Sequence, residues 1–119
     1  MAGQDAVERL RAICLALPEA AERETWGVPT FRVRDKIFAM SNGGDPATPS
    51  FNCKAPAGVQ QALIAGDPAR FYKPAYVGSK GWIGVRLDGA VDWDEVAGFV
   101  ADSYRMTAPK KLGQLVAGG

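Results

Sequence analysis

Residues 30–40 of the chain read Thr-Phe-Arg-Val-Arg-Asp-Lys-Ile-Phe-Ala-Met. Apolar residues alternate with polar ones on both sides of Asp35-Lys36, which is typical of two half-buried strands joined by a tight turn. A two-residue turn at Asp35-Lys36 fixes which side chains face each other across the hairpin. The expected pairs on the core face are Val33 with Phe38 and Phe31 with Met40.

The same hairpin has a basic side, because side chains alternate between the two faces of a strand. Arg32 and Arg34 are expected on the face opposite the core. Residues 32–86 hold eight basic and three acidic residues, whereas residues 1–31 and 87–119 each hold three basic and five acidic ones. The net charge of +1 therefore averages a basic middle segment with two acidic ends. Such asymmetry can indicate a surface that faces a polyanion.

Outward from the hairpin, helical periodicity appears at both ends of the chain and once in the middle. Capping boxes or prolines mark the expected helix starts, and proline or glycine marks the expected ends. The helices are expected to open at Asp5-x-x-Glu8, Pro56, Asp92-x-x-Glu95 and Pro109, and the first two to end at Pro18 and Gly66.

Further strands are expected at residues 20–26, 50–54, 75–77 and 82–87, the first of them at the edge of the sheet. In the second, Phe51 and Cys53 face the core and Lys54 faces outward. Together the elements predict an α+β fold of order α-β(3-4)-α-β(2)-α. It is a two-layer sandwich whose antiparallel sheet is covered on one face by helices. The length of 119 residues fits one domain over residues 1–119.

The composition excludes several classes of function. There is no histidine, which removes the commonest general base and zinc ligand, so we expect no metal site, no cofactor and no catalytic centre. The two cysteines lack CxxC spacing and fit a reducing compartment. No apolar run is long enough for a membrane span, and the first residues lack the features of a signal peptide. We therefore expect a cytoplasmic protein.

Several short segments follow one another in a specific order and spacing. They are Leu17-Pro18-Glu19, Trp26-Gly27, Pro29-Thr30-Phe31-Arg32-Val33, Lys36-Ile37-Phe38-Ala39, a strand ending in Lys54, Tyr76-Val77, Gly81-Trp82-Ile83-Gly84-Val85, Leu87-Asp88 and Ser103-Tyr104-Arg105. Over nearly its whole length the chain resembles the YjbR/MmcQ family. The resemblance implies a two-layer α-β(3)-α-β(2)-α fold that is also seen in secretion chaperones, and a double-winged DNA-binding role. It implies no catalytic residues.

One segment departs from the family pattern. Many members place His and Asn ahead of the tryptophan of the late strand, where this chain has Gly78-Ser79-Lys80-Gly81. No role of those side chains can be transferred here. The segment also differs from a phosphate-binding loop, because it lacks the GxxxxGK[ST] spacing and precedes a strand rather than a helix.

The candidate nucleic-acid-binding surface is the uncovered sheet face together with two hairpin tips. Basic side chains there can follow phosphates, and an aromatic ring can stack on bases. The alternative is a solvated sheet face whose cations serve solubility and blunt the edges, with Trp82 as a packed cap. The candidate residues are Arg32, Arg34, Lys36, Lys54, Lys80, Trp82 and Arg86.

A second candidate site is a ligand pocket formed by Tyr72, Lys73 and Tyr76 beside Lys80. The alternative is half-buried packing of these aromatic residues under a loop. The leading hypothesis is a non-enzymatic domain that binds DNA weakly and with little sequence preference, as a monomer or weak homodimer. The alternatives are an adaptor for a protein partner, by analogy with the chaperone-like fold, and a small-ligand binding protein.

Overall fold

The computed structural model describes residues 2–25, 27–41, 49–74, 77–88 and 91–116, with side chains described from residue 6 onward. Its sheet has six strands in the order β1-β2-β3-β4-β6-β5, and every neighbouring pair is antiparallel. The strands are β1 Ala20–Thr25, β2 Val28–Val33, β3 Lys36–Ser41, β4 Ser50–Cys53, β5 Phe71–Tyr72 and β6 Ile83–Arg86. The helices are α1 Ala2–Leu15, α2 Val59–Gly66, α3 Trp93–Thr107 and α4 Lys110–Gly113, and a 3-10 turn covers Gly78–Lys80.

The predicted α+β class and antiparallel sheet are confirmed, and the helices pack against the sheet. Helices α1 and α3 contact strands β1 to β4. Between the layers lies one apolar core, in which Phe38 and Tyr104 meet edge to face at 5.4 Å between ring centroids. The Tyr104 hydroxyl donates to the carbonyl of Pro18, so the C-terminal part of α3 is tied to the turn that follows α1. Strand β1 lies at the sheet edge, as predicted.

The predicted register of the β2–β3 hairpin is wrong by one residue at its turn. The turn residues are Arg34 and Asp35, both with positive φ (51° and 67°), and Val33 pairs with Lys36. Two left-handed residues give the mirror-image turn whose twist suits a hairpin, and Asp tolerates this conformation better than Lys would. A bulge between Phe31 and Arg32 then shifts the rest of the register.

The bulge explains why the alternation of apolar and polar residues predicts the wrong cross-strand pairs on the core face. Phe31 lies opposite Ala39 rather than Met40, and Phe38 is the additional residue on β3. Phe31, Phe38 and Ala39 are all fully buried. A bulge places two consecutive residues opposite one, so both Phe38 and Ala39 reach the core, which strict alternation forbids.

Two helix starts also differ from the prediction. Helix α1 begins at Ala2, so Asp5 lies inside the helix and does not cap it. Helix α2 begins at Val59 rather than at Pro56, because Gly58 has a φ of 84° and ends the preceding turn in a left-handed conformation. By contrast, the cap of α3 is confirmed, since the Asp92 side chain accepts from the backbone N–H groups of Asp94 and Glu95.

The strand expected at residues 75–77 is only partly described. Ala75 and Tyr76 lie outside the described residues, and Val77 is in a turn. Among the described residues, β6 pairs with β4 on one side and with β5 on the other, where Tyr72 lies opposite Gly84. In the described part of the chain, no helix is long and apolar enough to cross a membrane.

Candidate anion-binding surface at one end of the sheet

Four lysines lie where neighbouring strands of the sheet begin or end. Lys36 is the first residue of β3, Lys54 directly follows β4, Lys73 directly follows β5, and Lys80 lies in the 3-10 turn that leads into β6. Because these strands are antiparallel in the order β3-β4-β6-β5, these termini all lie at the same end of the sheet. We call this group of four lysines the lysine end.

The lysine end has no acidic partner among the residues that the structure describes, since none of its four ammonium groups forms an ion pair with an acidic residue there. Partial burial lowers the pKa of Lys54, and the charges of Lys36 and Lys80 lower it further. The electrostatic coupling agrees with the strand topology in placing these cations near one another. An anion bound among them would relieve their repulsion.

Ser103 of α3 fixes the position from which Lys54 extends. Its buried Oγ accepts the Lys54 backbone N–H at 2.9 Å and donates to the Phe38 carbonyl at 2.5 Å. One hydroxyl thus satisfies a donor after β4 and an acceptor at the β3 bulge. This role of Ser103 is not predicted by the sequence pattern, whose only signal is a small polar residue next to Tyr104 on the apolar side of α3.

Two of the three arginines predicted for the nucleic-acid-binding surface, Arg32 and Arg34, are held by other groups. Arg34 forms a two-bond ion pair with Glu19, at 2.6 Å and 3.0 Å. Arg32 donates to the Thr25 hydroxyl at 2.8 Å, the Thr30 hydroxyl at 3.3 Å and the Asp35 carbonyl at 3.2 Å. Both guanidinium groups therefore stabilise the β1–β2–β3 region.

Arg86 and Tyr72 lie together on the sheet face opposite the core. The Arg86 guanidinium lies 4.9 Å from the Tyr72 ring centroid and donates to the carbonyls of Pro68 and Ala69. The other side of the ring rests on Gly84, where a Cβ would come within 2.2 Å of Tyr72 Cζ. Gly84 is required by this close approach.

The polar end of Tyr72 is also engaged, since its hydroxyl lies 2.9 Å from the Ser50 Oγ and 3.1 Å from the Asn52 Oδ1. Partial burial raises the pKa of this phenol, and the hydrogen bond to Ser50 opposes the shift. Tyr72 therefore lies over the sheet face opposite the core, with its ring at Gly84 and its hydroxyl at Ser50 and Asn52.

Trp82 is only 8% exposed, and its carbonyl accepts from the Gln60 amide at 2.6 Å. This burial agrees with Trp82 as a packed cap on the sheet better than with Trp82 as a ring that stacks on bases. Of the predicted pocket residues, Lys73 lines a cleft together with Lys80. Tyr76 lies outside the described residues.

Both cysteines lie in the core. Cys14 and Cys53 are fully buried, and this burial raises the pKa of both thiols, which keeps them protonated at neutral pH. Within the described ranges, no group of three or more Cys, Asp or Glu residues could hold a metal ion.

Comparisons with known proteins agree with this fold. A family model described as YjbR matches residues 15–106. The crystal structure of the Deinococcus radiodurans protein DR2400, which carries the domain DUF419, is similar with a TM-score of 0.74 and 22% sequence identity. The match covers 84% of this chain and 76% of that one, and at this identity it shows a shared fold. A search of the curated proteins gives no match.

Proposed function

The chain belongs to the YjbR family, and we propose that it is a non-enzymatic domain that binds nucleic acid through phosphate contacts at the lysine end. The observation that carries the proposal is the convergence of Lys36, Lys54, Lys73 and Lys80 without an acidic partner among the described residues. Lysine ammonium groups act as point charges, which suits contacts with a phosphate backbone.

Two aromatic side chains of the sheet, Tyr72 and Trp82, are not free to stack on bases, and this favours contacts with phosphates over contacts with bases. Both faces of the Tyr72 ring are engaged, by Arg86 and by Gly84, and Trp82 is buried. Neither ring is available to stack on a base without rearrangement. Binding through charge alone is weak and depends little on sequence. We therefore expect similar affinities for unrelated sequences of the same length.

A non-enzymatic role is supported by the side chains that the chain provides. It has no histidine, and both cysteine thiols are buried. General base catalysis would thus rest on carboxylates, lysines or tyrosines, and a serine or threonine nucleophile would have no histidine to activate it. We assign the lysines to binding because several of them share one end of the sheet.

Fluorescence anisotropy of a labelled oligonucleotide tests the proposal, using Lys80→Glu and the charge-matched control Arg9→Glu. Arg9 is exposed and lies over Trp93, the first residue of α3, whereas Met106 near the other end of α3 lines the cleft beside Lys80. The 15 residues of α3 span about 22 Å, so the control lies far from the lysine end.

We expect Lys80→Glu to weaken binding about ten-fold at low salt, and Arg9→Glu to change it less than about two-fold. No binding of the parent protein at low ionic strength would refute the proposal. Equal losses in the two variants would show that net charge, and not the lysine end, determines binding.

A further inference from the structure

A cleft of about 510 Å³ opens at the lysine end. One wall consists of the loop Ala55–Gly58 and the first turn of α2, and the other consists of Lys73 and the 3-10 turn. Met106 of α3 also contributes to the lining. The volume falls within the range of about 300–1,000 Å³ that is usual for small-molecule sites.

The two cleft walls are tied together by a buried amide. Gln60, at the start of α2, is 6% exposed, and its Nε2 donates to the carbonyls of Gly78 at 2.8 Å and Trp82 at 2.6 Å. The hydrogen bonds hold α2 against the 3-10 turn. Because the walls are fixed before a ligand arrives, binding does not have to order them.

Lys73 lies flat across the 3-10 turn because residue 78 is a glycine. A Cβ at Gly78 would lie 2.5 Å from Lys73 Cγ and 3.3 Å from Lys73 Cε. The absent side chain leaves room for the stem of Lys73 along the wall, and Lys80 lines the same cleft. Two exposed cations therefore share one concave site.

We propose that this cleft binds one phosphate monoester carried by a nucleoside, either a free mononucleotide or the phosphorylated end of a strand. The second of these ligands, the phosphorylated end of a nucleic-acid strand, rests on the proposed function. A phosphate monoester carries a charge of about −1.5 to −2 at neutral pH, which matches two ammonium groups better than an internal phosphodiester does. A volume of about 510 Å³ is that of a cube with an edge of about 8 Å, which is smaller than the width of about 12 Å of the major groove of a duplex. Pro56 and Met106 provide an apolar surface for the nucleoside.

Thymidine 5′-monophosphate and thymidine test the cleft directly, by NMR titration of the complete ¹⁵N-labelled chain. We expect saturable shifts at residues 57–61 and 78–81 with the monophosphate and none with thymidine. Lys73→Met and Lys80→Met are each expected to weaken binding about ten-fold, and the control Arg9→Met less than about two-fold. No saturable shift up to about 10 mM, or equal shifts with thymidine, would overturn the proposal.

Gly78→Ala tests the geometry while both charges are kept. The added Cβ must displace the Lys73 stem, so we expect the affinity for the monophosphate to fall about three-fold or more. An unchanged affinity would contradict the placement of Lys73. A thermal melt reports whether the variant folds, and the surface variant Lys73→Met tests the same side chain if it does not.

A 5′-phosphorylated oligothymidylate and its 5′-hydroxyl counterpart distinguish the two sources. If strand ends are the ligand, the phosphorylated strand binds about five-fold tighter or more. Equal binding of both strands together with monophosphate binding assigns the cleft to free mononucleotides. Monophosphate binding without any oligonucleotide binding removes the proposed function and leaves the cleft assignment. Oligonucleotide binding without a 5′-phosphate preference and without monophosphate binding overturns the cleft assignment and leaves the proposed function.

Discussion

The lysine end and the β1 side of the sheet use their cations in opposite ways. Along β1, Arg11 pairs with Glu22 at 2.6 Å, Arg34 with Glu19 at 2.6 Å and Arg23 with Asp35 at 3.5 Å. We call these three pairs the arginine edge. The lysine end has no such pair among the described residues. Position and partners, and not the number of basic residues, therefore determine which charges are available to a ligand.

The difference has a physical basis in the two side chains. A guanidinium donates from two nitrogens to one carboxylate, as Arg34 does to Glu19, whereas an ammonium is a strongly hydrated point charge. Strand β1 is an edge strand, and charged side chains along an edge oppose pairing with another chain. The arginine edge thus stabilises and protects the sheet, while the ammonium groups of the lysine end have no carboxylate partner among the described residues.

Removing the hydroxyl that supports the lysine end should have the largest effect on stability. Ser103→Ala leaves the Lys54 N–H and the Phe38 carbonyl without their partner, and Ser103 is fully buried. We expect the free energy of unfolding to fall by about 2 kcal/mol. Urea denaturation followed by circular dichroism measures the change. A loss below about 0.5 kcal/mol would show that the two backbone groups find other partners.

The next largest effect on stability is expected at Gly84, where the Tyr72 ring rests on the sheet. Gly84→Ala puts a methyl group against the Tyr72 ring, and we expect a loss of about 1–2 kcal/mol. Gly98→Ala is the matched control, since no atom lies within 4 Å of its added Cβ in α3. The control should gain up to about 1 kcal/mol. Thermal melts of both variants check the prediction, and a loss in Gly98→Ala equal to that in Gly84→Ala would contradict it.

Lys54→Met should raise stability slightly while it weakens anion binding. The substitution removes a partly buried cation that is repelled by Lys36 and Lys80, so we expect a gain of about 0.5 kcal/mol. A chemical denaturation curve measures the gain, and anisotropy measures the loss of affinity. A stability loss with unchanged affinity would show that Lys54 serves packing alone.

The Lys54 ammonium group should also make the stability of the protein depend on pH. The pKa of Lys54 is lower in the folded protein than its ordinary value of 10.5, so the unfolded chain binds more protons between the two values. The cost in stability of holding Lys54 charged is fully present below its pKa in the folded protein, and it is relieved as the pH rises towards 10.5. The stability advantage of Lys54→Met should therefore shrink across that window in denaturation curves at several pH values, and an advantage that grows would contradict this sign.

The smallest effect is expected from releasing an arginine of the arginine edge. Glu19→Gln frees Arg34, and we expect nucleic-acid binding to strengthen about two-fold, with a stability change of about 0.5 kcal/mol or less. Glu24→Gln is the control, because it raises the net charge equally at an exposed position that forms no ion pair with another described residue. Equal strengthening in both variants, measured by anisotropy, would remove the role assigned to this ion pair.

The sequence was sufficient for the fold because the strands and the three long helices show clear periodicity. It was not sufficient for the hairpin register, since two left-handed turn residues and a bulge replace the strict alternation after Val33. It placed Arg34 on the basic surface, but its partner Glu19 lies 15 residues away in another turn and has a φ of 57°. Ion pairs and the role of Ser103 depend on tertiary contacts that no local pattern reveals.

We propose that anions bind at the lysine end and not at the arginine edge, and the salt dependence of oligonucleotide binding distinguishes the two regions. Lys36→Ala with Lys80→Ala, and Arg23→Ala with Arg34→Ala, remove the same charge from the two regions. We predict that the lysine pair lowers the slope of log affinity against log salt by about 1.5 and that the arginine pair leaves it unchanged. Equal reductions in both double variants, or a reduction confined to the arginine pair, would contradict the claim.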